Sequence, residues 1–189
     1  GTVTFTPTAN FNGAASFSYV ATDGTATSNT ATANITVAAV NDAPVSVITP
    51  TTYSATEQTN LNLHGSGLSV SDVDTTNLTV TLAVGEGAIT VNAGTSGATI
   101  SSGSGTNTVV LTGTAAQLNS LLSSTGGATG TIVYNDNTDT PAASTIFTMS
   151  VNDGTTTISD SATINITAVN DAPVSVITPT TYSRSEEHT

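Results

Sequence analysis

Val40-Asn-Asp-Ala-Pro-Val-Ser-Val-Ile-Thr-Pro-Thr-Thr-Tyr-Ser54 recurs without change at Val169 to Ser183, 129 residues further along the chain. What precedes each copy also corresponds. Phe17-Ser-Tyr-Val-Ala-Thr-Asp23-Gly24 matches Phe147-Thr-Met-Ser-Val-Asn-Asp153-Gly154, and Ala33-Asn-Ile-Thr36 matches Ile164-Asn-Ile-Thr167. Self-similarity at this period predicts a tandem array. One complete repeat is expected over 41–169, behind the C-terminal strands of a preceding repeat (1–40) and ahead of the first strand of a following one (170–189). A unit of that length can bury its own core. The repeats should therefore be domains, joined at Asn-Asp-Ala-Pro, whose proline fixes φ and restricts the residue before it. Because Gly1 opens in what reads as mid-strand, the sequence is expected to be a slice of a longer polypeptide.

Within the repeat the apolar residues alternate. Leu78, Val80, Leu82 and Val84 interleave with Thr79, Thr81 and Ala83, and Phe147, Met149 and Val151 with Thr148 and Ser150. Ile164 and Ile166 do the same, so each segment reads as a strand with one buried face. Further strands are expected near 45–49, 59–64, 88–92, 107–112 and 130–135, separated by Gly, Ser and Asn clusters. That spacing predicts an all-β antiparallel sandwich. In 114–122, Leu118, Leu121 and Leu122 take helical spacing behind a Thr cap, which predicts one short helix. Phe17, Tyr19, Tyr134 and Phe147 are expected at inward strand positions.

Composition excludes several functions. The 189 residues hold 13 acids against one base, Arg184, for a net charge of −12, and contain no lysine or cysteine. Without lysine there is no P-loop, Schiff base or isopeptide crosslink, and without cysteine no disulfide or thiolate metal site. Nucleic acid is not an expected partner, since phosphate binding needs clustered Lys and Arg. The longest apolar runs are about four residues, as in Val37 to Val40, too short to span a bilayer. Catalysis is not expected either. His64 is the only histidine inside the complete repeat, and no Gly-x-Ser-x-Gly elbow accompanies it. Glu86 reads as a hairpin-tip residue kept polar by solvent, and Asp136 with Asp139 as an Asx-rich turn before Pro141, a carboxylate pair for acid-base work or a local calcium loop being the alternatives.

The few carboxylates are not scattered. Asp42 and Asp171 lie in the two joints, Asp72 and Asp74 in Ser-Asp-Val-Asp-Thr-Thr-Asn77, and Asp153 follows a strand as Asp23 does. Calcium takes six to eight oxygen ligands from carboxylates, amides and carbonyls. Asp-x-Asp-x-x-Asn supplies three from one loop, and a joint Asn-Asp supplies more from across a crevice. Asp and Asn also populate turns because their side chains cap local backbone, so any one pair reads equally well as a turn.

A strand ending in Asp-Gly, an alternating Thr and aliphatic strand, and then Val40-Asn-Asp-Ala-Pro44 or Val169-Asn-Asp-Ala-Pro173 resemble the end of a cadherin-like domain. Gly65-Ser-Gly-Leu-Ser-Val-Ser-Asp-Val-Asp74 and Leu111-Thr-Gly-Thr-Ala-Ala-Gln-Leu-Asn119 are similar to phrases in the tandem repeats of very large bacterial surface proteins, including type I secreted biofilm adhesins. The resemblance implies an extracellular cadherin-like or Ig-like sandwich with calcium at the joints. Carried over by residue, Asn41 and Asp42 would be completed by Asp72, Asp74, Asn77 and Asp153, while Asn170 and Asp171 would take Glu57. The joint here is poorer in carboxylates than the usual cadherin joint, and the Leu-Asp-Arg-Glu motif is absent. Fewer ions per joint follow. The expected role is a structural spacer whose partners are neighbouring repeats; copies of itself in a strand-exchanged fibre, or a glycan or cell-surface ligand, are the alternatives.

Overall fold

The structure, a computed structural model, describes residues 2–175. Most of the strand expected in 170–189 lies outside them. In chain order the elements are β1 (Gly13–Tyr19), β2 (Ala31–Val37), β3 (Val45–Ile48), β4 (Thr52–Thr56), β5 (Leu61–Asn62), β6 (Leu68–Ser71), β7 (Asn77–Val84), β8 (Ala88–Asn92), β9 (Thr99–Ser102), β10 (Thr108–Thr114), α1 (Ala115–Leu122), β11 (Thr131–Asn135), β12 (Ser144–Asn152) and β13 (Thr157–Thr167), with a 3₁₀ turn at 125–127.

The larger layer is a six-stranded sheet in the order β4-β13-β12-β7-β10-β9. Against its inner face lie the β5-β11-β8 sheet, the β3-β6 pair and α1. This is an all-β sandwich with one short helix. Period-two alternation is what closes it: Leu78, Val80, Leu82 and Val84 of β7 and Phe147, Met149 and Val151 of β12 point into one core with Leu111, Ile132, Tyr134 and Ile164. Tyr53 meets Phe147 edge-on at 6.3 Å between ring centroids, a favoured aromatic geometry.

The helix forms where Thr114 caps it. Its Oγ1 accepts from Gln117 N at 3.2 Å while Gln117 Oε1 accepts from Thr114 N at 2.9 Å, a reciprocal capping box. Leu118, Leu121 and Leu122 are fully buried. Asn119 faces β6 and makes two hydrogen bonds, donating to Val70 O at 2.7 Å and accepting from Val70 N at 2.9 Å. Gly67, at φ +100°, lies so close to the Thr49 carbonyl that a Cβ would overlap its oxygen.

The structure departs from the sequence reading in several ways. β4, β6 and β9 were not expected, and β4 joins β13 in parallel, so the sandwich is not wholly antiparallel. Strand β5 is only Leu61–Asn62. Tyr19, expected inward, is 55% exposed, because among the described residues the β1-β2 sheet holds two strands and no second sheet packs on it.

The outward face of the large sheet is regular. Register aligns Ser161, Thr148, Ala83 and Thr108 in one cross-strand row, Ser159, Ser150, Thr81 and Val110 in the next, and Thr157, Asn152, Thr79 and Thr112 in a third. Hydroxyls occupy nine of those twelve positions, and no carboxylate points out from them.

Candidate metal centre at the joints

At the first joint the linker is tied to the unit that follows it. Asp42 N donates to Asp74 Oδ2 at 2.6 Å, and Asn41 Nδ2 donates to Asp153 Oδ2 at 2.9 Å. The following unit presents these carboxylates from two turns built alike. Asp72 Oδ1 accepts from the backbone N–H groups of Asp74 (2.8 Å) and Thr75 (2.6 Å), and Asp153 Oδ1 from Thr155 and Thr156, both at 2.6 Å. Each is an Asx turn, which fixes one oxygen and leaves the other outside the turn's own hydrogen bonds. Asp23 makes the same turn with Thr25 and Ala26 in the preceding unit.

Backbone donation shapes the charge. The Thr156 N–H, then the Asn41 amide and the Thr155 N–H, hold the Asp153 carboxyl below the ordinary carboxylate value. For Asp23 the Ala26 and Thr25 N–H groups do likewise. Both groups are thereby held ionised. Asp72 Oδ2 is buried and has no hydrogen-bond donor. A buried carboxylate oxygen without a donor is costly unless something positive approaches it. The donor set at this joint, carboxylate and amide oxygens with no sulfur or imidazole, suits a hard cation such as calcium. Asn77, also expected here, is exposed at the start of β7 and makes no hydrogen bond to this group among the described residues.

A cavity of about 290 Å³ is lined by Asp42 and Asp74 and also by Asn10 and Asn12 of the preceding segment. Neither asparagine was singled out from the sequence.

At the second joint, Asn170 donates to Asp171 O at 3.2 Å, as Asn41 does to Asp42 O at 2.9 Å. Glu57, only 1% exposed, accepts from Val169 N at 2.9 Å through Oε2. Glu57, Asp139 and Asp171 bring carboxylate oxygens within 4.8 Å of one another, a group that could hold a metal ion. Gln58 donates to both Glu57 (3.4 Å) and Asp139 (3.3 Å). The sequence places Asp139 in an Asx-rich turn or a local loop with Asp136, not with Glu57 and Asp171. The signal for it lay in the repeat, since Asn10 stands 129 residues before Asp139, the same interval that separates Asp42 from Asp171.

The neighbouring acids are tied internally. Asp136 is buried, its Oδ1 accepting from Thr138 N at 3.0 Å and Thr138 Oγ1 at 2.6 Å, and Tyr134 donates to its Oδ2 at 3.4 Å. Burial foremost, then the Asp136 charge, raises the Tyr134 phenol well above its usual value. Glu86 is not a solvent-kept tip: half-buried, it accepts from Ala142 N at 3.1 and 3.2 Å. Asp160 points inward and accepts from Ile48 N at 2.8 Å, pinning β3 to β13. His64 Nδ1 lies 2.6 Å from Leu121 O, a structural contact.

Residues 1–38 match the family described as cadherin-like domain. Among curated proteins no sequence matches the chain. Similar solved structures include domains 4 and 5 of the S-layer protein SbsC, at 14% identity and TM-score 0.36 over 83% of this chain. An endo-fucoidan hydrolase of glycoside hydrolase family 107 has 19% identity and TM-score 0.36 over 87%. A longer structure of SbsC has 15% identity and TM-score 0.35 over 86%. The chain spans 59%, 20% and 18% of those three structures, in that order. Similarity at these scores carries no functional conclusion. No described helix is long and apolar enough to cross a membrane.

Proposed function

We propose that this chain is a stalk segment of a large extracellular bacterial surface protein, a structural spacer rather than a catalyst, whose interdomain joints are stiffened by calcium. Residues 1–40 would close a preceding domain, 41–169 form one complete repeat, and 170–189 open the next. In the intact array the parent protein would serve adhesion or biofilm formation, as the sequence resemblance implies. The cadherin-like match at residues 1–38 supports the extracellular, repeated character.

The observation that carries the reading is the first joint. There Asn41 and Asp42 are already bonded to Asp153 and Asp74 of the following unit, and Asp72, whose Oδ1 holds the Asp74 N–H, has a second, buried oxygen with no donor. Asp42, Asp72, Asp74 and Asp153 would hold the ion, with the Asn41 amide turned to offer its oxygen. At the second joint Glu57, Asp139 and Asp171 would do so, with Asn170 beside them. A bound calcium supplies positive charge to carboxylates that otherwise repel one another, and holds linker and domain in one coordination shell.

The size of the effect is appreciable. Extracellular modules bind calcium at roughly 10⁻⁴ to 10⁻³ M, and a ligand at a hundredfold its dissociation constant stabilises by about 2.7 kcal/mol. Domains are stable by only about 5–15 kcal/mol. Calorimetry and small-angle scattering with calcium and with chelator test this. Chelation should lower the melting temperature and broaden the distribution of interdomain distances; identical curves in the two conditions would show the joints to be metal-free.

A further inference from the structure

The outward face of the six-stranded sheet has no role in the joint. Its central rows carry hydroxyls, with Ser150 Oγ 2.8 Å from Ser159 Oγ across the β12-β13 pair. Asn152 similarly donates to Thr157 Oγ1 at 2.7 Å. Ile146, 53% exposed, is the largest apolar side chain projecting from the same face of β12. We infer that this face is a lateral contact surface for a second copy of the same chain, packing sheet against sheet.

Charge makes the first case. A chain of net charge −12 repels its own copies. The carboxylates of the repeat lie in its loops and joints, or point inward as Asp160 does, so this face can be approached by a second copy without opposing them. Like charges held apart at the rim cost little once they are beyond about a Debye length of 8–10 Å.

Area makes the second. Six strands about 4.8 Å apart and about seven residues long present roughly 650 Å² per copy. Two copies together would bury about 1,300 Å², within the roughly 1,200–2,000 Å² of specific interfaces. Twist decides between occupants. Neighbouring strands rotate by about −20 to −25°, so the face is not flat, but an identical twisted sheet seats on it at about −30° and about 10 Å. A glycan would be expected to want aromatic platforms, and no aromatic side chain points out from the three rows.

Sedimentation velocity of the whole chain, from micromolar to millimolar in calcium, tests this. A concentration-dependent dimer is expected. Ser150→Glu or Ile146→Glu should weaken it at least about tenfold by placing like charges face to face, while Thr90→Glu, exposed on the opposite sheet, leaves it unchanged. Circular dichroism melts check that each variant still folds. A monomer at every concentration, or dimers indifferent to both face variants, overturns the inference. So does binding of a neutral polysaccharide that the same variants abolish, which would make the face a glycan platform. Since no joint residue is altered, calcium stabilisation can persist when the dimer fails, and the two readings fail separately.

Discussion

At the residue scale, two carboxylates carry opposite diagnostic signs. Asp72 uses Oδ1 to hold its turn and leaves a buried Oδ2 without a donor. Asp72→Asn keeps the turn acceptor but removes the charge. The metal-free melting temperature should stay level or rise slightly, while most of the calcium-induced increase disappears. Calorimetry of the variant decides it, and a full calcium response in Asp72→Asn would remove Asp72 from the ligand set. Asp153 is tested by acid. Its folded pKa is depressed, chiefly by the Thr156 N–H, so its contribution is fully present above the unfolded value near 4. That contribution is lost as pH falls through the lower, folded value. In chelator, the stability difference between the parent and Asp153→Asn should be largest above about pH 5 and shrink on acidification below about pH 4. Melts across that range check the sign; a difference that grows in acid would contradict it.

At the scale of elements, what was legible followed the strength of the local pattern. β7 and β12 announce themselves because four and three large apolar residues alternate without interruption. The helix was legible because its cap and its three leucines are all local. β6 was not, since Leu68-Ser-Val-Ser71 offers only two apolar residues and is secured by partners outside its own segment, β3 and the Asn119 side chain 49 residues on. β4 likewise depends on a parallel neighbour, β13, more than a hundred residues away. The site divides in the same manner. Asp42, Asp72 and Asp74 could be read from motifs, whereas Asp139 looked like a turn because only the fold brings it to Glu57 and Asp171. If Asn119 is what holds β6, Asn119→Ala leaves both Val70 backbone groups unpaired. Each such group costs about 1–3 kcal/mol, so urea denaturation should show a loss of about 2 kcal/mol or more. A loss near zero would mean that β3 alone suffices for β6.

For the whole molecule, the charge of −12 has a spatial meaning that the total alone does not convey. Carboxylates gather near Asn41-Asp42 and Asn170-Asp171 and in the loops, and the three central rows of the broad sheet face carry none. Two physical accounts then compete for any effect of calcium. Either the ion is coordinated by the joint oxygens, or any counterion relieves repulsion among them. The two differ in what they demand of the cation. Coordination suits calcium, which accepts six to eight oxygens at about 2.3–2.6 Å in irregular geometry, and disfavours magnesium, which needs near-octahedral sites at about 2.0–2.1 Å and keeps its water. Simple screening makes no such distinction, and sodium chloride at high concentration would reproduce it. With stabilisation of about 2.7 kcal/mol at a hundredfold the dissociation constant, and about 3–5 °C per kcal/mol for a domain of this length, calcium at that concentration should raise the melting temperature by about 10 °C. Magnesium at equal concentration should give less than about a third of that increase, and molar salt in chelator no more. Equal shifts from calcium, magnesium and salt would leave the joints as acidic surfaces that any counterion quiets, with Pro44 and Pro173 left to restrict the linkers.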